Sequence, residues 1–366
     1  MDFTPTEEQE AARELAARIF ADLATHERLR AAGTGTDAEL WKALCAAGLP
    51  GSVEETGLLG LVLLLEEQGR VTAQVPFAAT CAYGILAVAR HGTEEQRARL
   101  LPGLRDGTAM VTGAFPAPGG VASHDGRLTG TVDWVPWLRD ATHVLVPDED
   151  RVLWLVRVED AARVDPVELT APWSAGRLVL DGATGERLGA GVGARAGAGS
   201  REGLGERSGA GGGGGEAYAD VLAAARVAFA GLQAGVCAGS LARAVEYTSV
   251  REQFGRPLST HQAVQLRAAD AHMDTETIRV TAYEAAWRFD EGLDAGGAAL
   301  TAAWWASEAG KRVVHAGQHL HGGMGADLDH PVHRHFLWGR QLDAYLGCGT
   351  ELLAELGDLL AEGDLS

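Results

Sequence analysis

Apolar residues recur at helical spacing from the start of the chain: Leu15, Ile19 and Leu23 share one face. Ahead of them, Thr4 and Glu7 have the spacing of a capping box, and Pro5 stands where a first-turn proline is tolerated. An amphipathic helix is therefore predicted there. Further helical stretches run over 37–47, 57–68 and 76–91, closed by Gly48, Gly69 and Gly92, and over 93–104. After Gly107 the period shortens. Apolar, β-branched runs at 110–112, 128–132, 143–146 and 152–156, separated by Asp, Gly and Pro, predict a compact antiparallel β domain that ends near Leu180.

From 189 to 216 the chain is a glycine-rich tract, ending in five consecutive glycines at 211–215 and Glu216. Such side chains bury too little surface to offset the entropy of ordering, so a mobile loop is expected. Its glycines do not form a dinucleotide fingerprint, because no Gly-x-Gly-x-x-Gly stands between a strand and a helix. Beyond Ala217, long helices are predicted at 218–249, 260–291, 297–319 and 330–360, the last broken around Gly347-Cys348-Gly349, with small and apolar residues inward as in packed bundles. The expected fold is α+β: an N-terminal helical domain (1–107), a central antiparallel β domain (108–188), the loop (189–216) and a C-terminal four-helix-type bundle (217–366).

Composition narrows the function. With 46% apolar and 22% charged residues in 366, the chain can bury a substantial core. A formal charge of -19 repels phosphate polymers and anionic membranes at long range, so neither nucleic acid nor a membrane is an expected partner. The first residues lack a basic stretch followed by an apolar one, and no later segment reads as an uninterrupted apolar span of about 20 residues; the expectation is a cytoplasmic protein. Cys45, Cys81, Cys237 and Cys348 are scattered, without a Cys-x-x-Cys pair, and read as buried free thiols.

Candidate chemistry first appears at Arg251-Glu252-Gln253-Phe254-Gly255-Arg256-Pro257, between two predicted long helices, with His261-Gln262 opening the second. An arginine fork there suits a phosphate or pyrophosphate, and an interhelical ion pair suits it equally on spacing alone. About seventy residues on stands His321-Gly322-Gly323-Met324-Gly325, where missing side chains allow close backbone approach or simply cap a helix.

Arg-x-x-Phe-Gly with glutamine eleven positions after the arginine, followed by Gly-Gly-x-Gly and set in this domain order, closely resembles the acyl-CoA dehydrogenase family over nearly the whole chain. The resemblance implies FAD as cofactor and an acyl-CoA as substrate. It implies that Arg251, Phe254, Gln262, Gly322 and Gly323 bind the cofactor, in a junction that reaches the FAD of a neighbouring subunit. In the family a glutamate removes the α-proton while the β-hydrogen leaves as hydride to the flavin, and the base sits at one of two places.

At the commoner place this chain has Leu346, or Cys348 after a two-residue slip; at the other it has Ala225, just before the family-like Arg226. An apolar side chain cannot take the proton. Gly130-x-x-x-Trp134-Val135 resembles the segment lining the flavin ring, yet Pro136 stands where a hydroxyl residue is expected, and Pro116-Ala117-Pro118-Gly119-Gly120 only weakly resembles the flavin loop. The tail from Gly322 to Trp338 is similar to the smaller subunits of actinobacterial α2β2 acyl-CoA dehydrogenases, which act on steroid side-chain thioesters. What the resemblance implies is therefore a subunit with no catalytic residue of its own, in a heterotetramer with a homologous acyl-CoA dehydrogenase that supplies the glutamate.

Three rival readings follow from the same residues. A metal site could draw on His319, His321, His330, His333 and His335 with Asp327 and Asp329, although no His-Glu-x-x-His is present and His333 and His335 point about 200° apart on a helix. A homotetrameric dehydrogenase could use Asp343 or Glu351 as base. A structural paralogue would have no enzymatic role.

Overall fold

A computed structural model describes residues 2–116, 120–189 and 213–362. The chain forms two compact units, one of Met1–Ala78, Glu168–Trp173 and Ala223–Ser366 and the other of Ala79–Val167 and Ser174–Leu222. The first element, α1 (Glu7–Leu23), is capped by Thr6 and Gln9 rather than by Thr4 and Glu7. The Thr4 amide instead donates to the Asp2 carboxylate (3.0 Å), and Gln9 both closes the capping box and donates its amide to the Thr56 carbonyl (2.8 Å). A glutamate could not make that last bond, because an ionised carboxylate has no proton to give.

Two short helices follow, α2 (His26–Ala31) and α3 (Ala38–Ala46), the latter capped by Asp37. Helix α4 (Leu49–Val71) starts eight residues before the predicted Gly57 and bends there, where φ is +72°. That break frees the amides of Leu58 and Leu59, and both donate to the Asp290 carboxylate (2.8 and 2.9 Å). A residue 232 positions away thus supplies the cap. The predicted helix 76–91 is three pieces: α5 (Phe77–Ala79), a π-helical segment (Thr80–Leu86) and α6 (Ala87–His91). Helix α7 (Glu94–Asp106) follows with a Thr93–Gln96 capping box.

The strands are β1 (Val111–Gly113), β2 (Val121–His124), β3 (Arg127–Val135), β4 (His143–Pro147), β5 (Leu153–Arg157), β6 (Arg163–Pro166) and β7 (Gly176–Arg187). They form one sheet in the order β1-β4-β5-β7-β3-β2, with β6 also on β7. All pairs are antiparallel except β1 with β4, which is parallel. Leu128, Val135, Val144, Val156 and Leu178 centre its core. Within this unit Gln96 of α7 donates to the Glu186 carboxylate (2.8 Å) and the Arg187 carbonyl (2.9 Å), tying helix to strand. Most of the glycine tract, 190–212, lies outside the described residues, as do 117–119; its last glycines already belong to α8 (Gly213–Val250).

After α8 come a small hairpin of β8 (Glu252–Gln253) and β9 (Arg256–Pro257), then α9 (Gln262–Asp290), α10 (Gly296–Leu320), a 3-10 turn (Gly322–Ala326), α11 (Pro331–Leu342) and α12 (Gly349–Glu362). Glycines let α4 and α8 approach closely: a Cβ at Gly69 would strike the Leu232 carbonyl, and one at Gly235 the Glu66 carbonyl. Residues 215–250 of α8 are apolar and long enough to cross a membrane by composition, contrary to the reading of the sequence, but 89% of the apolar window is buried within the chain.

Candidate functional site

Helix α8 ends at Val250, and Arg251 opens a two-stranded hairpin whose tip is Phe254-Gly255. Both tip residues have positive φ, +56° and +75°, the signature of a type I′ turn. The geometry suits glycine and strains phenylalanine by about 1 kcal/mol. The Phe254 ring is nevertheless 89% exposed, so the chain by itself gains no burial from it. Its edge meets the His261 ring at 6.0 Å, and Arg256 donates to His261 Nδ1 (3.2 Å), which fixes the N-terminus of α9. Gln262, the first residue of α9, is exposed, and so is Arg251, whose guanidinium makes no hydrogen bond or ion pair among the described residues.

The second motif is brought to the first by an aromatic contact. Tyr247, one turn before Arg251 on α8, stacks on His321 with 4.9 Å between centroids and 20° between planes. His321 is buried, and its Nδ1 donates to the Gly317 carbonyl (2.7 Å). Gly322 follows at φ +62°, where a side chain would be strained. Gly325 is required by packing, since a Cβ there would strike the Gln318 carbonyl. Gly323 is required by neither, because a Cβ at that position would meet nothing within 4 Å. The chain's own fold gives no reason for glycine at 323. Open backbone of this kind fits the close approach of a bound group, and Arg251 beside it fits a phosphate.

Downstream, the loop is pinned at several points. His26 donates to the Asp329 carbonyl (2.8 Å), Arg30 pairs with the Asp329 carboxylate (2.7 Å), and Val332 N–H caps onto His330 Nδ1 (3.3 Å). Arg334 donates to the Thr72 carbonyl (3.3 Å) and Gln74 Oε1 (3.1 Å), and burial without a carboxylate partner pulls its pKa down to about 10. His335 is fully enclosed, with both ring nitrogens against backbone carbonyls, Pro331 at 3.3 Å and Arg70 at 3.0 Å; burial pushes its pKa down to about 4. Of the histidines that suggested a metal site, His321 stacks, His330 caps and His335 anchors, and among the described residues no three His, Cys, Asp or Glu side chains stand close enough to hold a metal.

The positions expected for a base are apolar in space as well as in sequence. Ala225 is fully buried on α8, and Leu346 lies 5% exposed beside a void of about 20 Å³ lined also by Arg226, Phe229, Tyr345 and Leu352. That void has room for about one water. Arg226 is 7% exposed and pairs through both terminal nitrogens with Glu355 of α12 (2.8 and 2.6 Å), so it is an ion pair inside the bundle. The reserve acids are committed elsewhere. Asp343, its pKa raised by burial against the pull of Arg340, holds that arginine at 2.7 Å. Glu351 is exposed and accepts the Cys348 amide (2.9 Å), which lowers its pKa. In the other unit Pro136 is buried, and its carbonyl accepts the Thr112 hydroxyl.

Two family descriptions match the sequence, "Acyl-CoA dehydrogenase, N-terminal domain" over residues 6–108 and "Acyl-CoA dehydrogenase, C-terminal domain" over 212–355. FadE27, an acyl-CoA dehydrogenase of Mycobacterium tuberculosis, is 33% identical over 391 residues, covering 99% of both chains. The chain belongs to the acyl-CoA dehydrogenase family. Among solved structures it is similar to a variant of the Tcur3481-Tcur3483 steroid ACAD, with 41% identity, 98% and 99% of the chains covered and a TM-score of 0.86. It is also similar to the ChsE4-ChsE5 complex from Mycobacterium tuberculosis, with 32% identity, 99% of each chain covered and the same TM-score. Membership in this family of flavin-dependent oxidoreductases implies FAD as cofactor, and the exposed Arg251 and the open backbone at Gly322 and Gly323 have the chemistry to hold a phosphate.

Proposed function

We propose that this chain is the non-catalytic subunit of a heteromeric acyl-CoA dehydrogenase that converts an acyl-CoA thioester to the 2,3-enoyl-CoA. The observation carrying this reading is an asymmetry within the bundle. Everything suited to a cofactor faces outward, on Arg251, Phe254, Gln262, Gly322 and Gly323, while both base positions are sealed and apolar at Ala225 and Leu346. An exposed site with no base of its own serves a neighbour better than itself.

In the complex, FAD would supply the hydride acceptor and the homologous subunit the catalytic glutamate. This chain's residues bind and orient: Arg251 holds phosphate by paired charge-assisted hydrogen bonds, Gln262 offers its amide, and the glycines let backbone N–H groups approach. The similarity to two assemblies of paired chains supports this arrangement, and the first of them, described as a steroid ACAD, makes a bulky steroid side-chain thioester the substrate class to try first. The homotetrameric alternative loses its candidate bases, since Asp343 is paired with Arg340 and Glu351 is an exposed cap.

The test is to purify the chain alone and together with a homologous subunit encoded beside it, and to measure flavin absorbance per complex. Flavin retained only by the pair, and weakened about tenfold or more by Arg251→Ala, is the expected result. Stoichiometric flavin on the lone chain, bleached by an acyl-CoA, would overturn the reading.

A further inference from the structure

Helix α8 presents one stripe toward the glycine turn and α11, at positions four residues apart. Gly239 is where a Cβ would crowd His335 Nε2, and Tyr247 stacks on His321. Arg243 lies midway between them. It is half-buried, yet its guanidinium makes no hydrogen bond or ion pair among the described residues. Glu246 on the same helix acts on it only at a distance, with no ion pair between the two. Burial lowers the pKa of Arg243, and its charge is felt by both His330, which follows the glycine turn, and His335 of α11.

A guanidinium withdrawn from water without a counter-charge is unfavourable until an anion arrives. Arg243 and Arg251 are two helical turns apart, about 12 Å along α8, with the Tyr247–His321 stack between them and the open backbone of Gly322 and Gly323 alongside. From the packed elements His330 and His335 feel the charge of Arg243, and His330 is in turn within reach of His321, Asp327 and, from α2, His26.

We infer that Arg243, one turn before Tyr247 on α8, is a second phosphate-binding residue for the adenine-dinucleotide cofactor, acting with Arg251 across the Tyr247–His321 stack. The inference rests on the proposed cofactor site but adds a residue outside its motif. Binding would replace lost hydration by charge-assisted hydrogen bonds and would neutralise the field that Arg243 now exerts on His330.

The test uses the co-expressed complex, stripped of flavin and titrated with FAD by fluorescence, comparing Arg243→Gln, Arg243→Lys and Arg251→Ala at low and high salt. Arg243→Gln should weaken FAD about tenfold with a shallower salt dependence, and Arg243→Lys should recover part of the loss. Proton NMR of His330 gives a second readout without any substitution: its pKa should rise when FAD binds. If Arg251→Ala weakens FAD while Arg243→Gln leaves affinity, salt slope and the His330 titration unchanged, the inference falls and the site reading stands. If neither arginine matters, the site reading itself falls.

Discussion

Tyr247 and His321 lie face to face, 4.9 Å between ring centroids, and so join the arginine hairpin to the glycine turn across 74 positions of sequence. The His321 ring is held in turn by the Gly317 carbonyl, which makes the stack a fixed strut rather than a chance contact. Tyr247→Ala should therefore cost roughly 1 kcal/mol beyond the lost burial and loosen flavin retention in the complex, whereas Tyr247→Phe should be nearly neutral in both. Thermal unfolding and flavin absorbance measured on the same samples check this. Equal losses for both substitutions would remove the stack from the argument.

Gly323 separates fold from function. A Cβ there would meet nothing within 4 Å, so Gly323→Ala should leave the lone chain's unfolding free energy within about 0.5 kcal/mol of wild type, while lowering flavin affinity in the complex. Gly322→Ala should by contrast destabilise the lone chain by about 1 kcal/mol, because φ there is +62°. Denaturant titration of the lone chain with FAD titration of the complex resolves the two effects.

Placing a carboxylate at the family's commoner base position should not create an enzyme. Leu346→Glu pushes an acid into a buried, water-sized void beside an arginine already paired with Glu355. A loss of roughly 1–3 kcal/mol is expected, with no acyl-CoA oxidation by the lone chain. Dye-coupled oxidation of an acyl-CoA by that variant alone would contradict the assignment.

The Arg226–Glu355 pair holds α12 on α8, and removing only the acid leaves a buried guanidinium without its partner. Glu355→Ala should cost roughly 1–3 kcal/mol, and the double replacement with Arg226→Met should cost less than the sum of the two single changes. A double-mutant cycle by chemical denaturation measures the coupling. Strict additivity would mean that the pair contributes nothing.

Acid should loosen the turn region through His335. Its folded pKa is near 4 against an ordinary 6.5, so the unfolded state takes up the proton first as pH falls. The ring imposes no penalty above about pH 6.5, and stability should fall progressively between there and pH 4. His335→Gln, which keeps a donor for the Arg70 carbonyl, should flatten that part of the profile. Urea midpoints across this range provide the measurement.

Much of this protein was legible in sequence because it rests on local chemistry. Helix starts declared themselves at Asp37 and Thr93, the shift from period 3.6 to period 2 marked the strands, and the spacing of Arg251, Gln262 and Gly322-Gly323 carried the family. The apolar residues at 225 and 346 carried the proposal that the base comes from a partner. Tertiary structure decided the rest, because those features depend on partners distant in sequence. The first cap fell on Thr6 and Gln9, whose amide also serves the Thr56 carbonyl, and α4 could bend at Gly57 because Asp290 capped the freed amides. The parallel pairing of β1 with β4 follows from no local pattern. Nor did spacing reveal that Tyr247 would meet His321, or that Arg243 would be left half-buried without a counter-charge, since solvation and charge pairing exist only once the helices have packed.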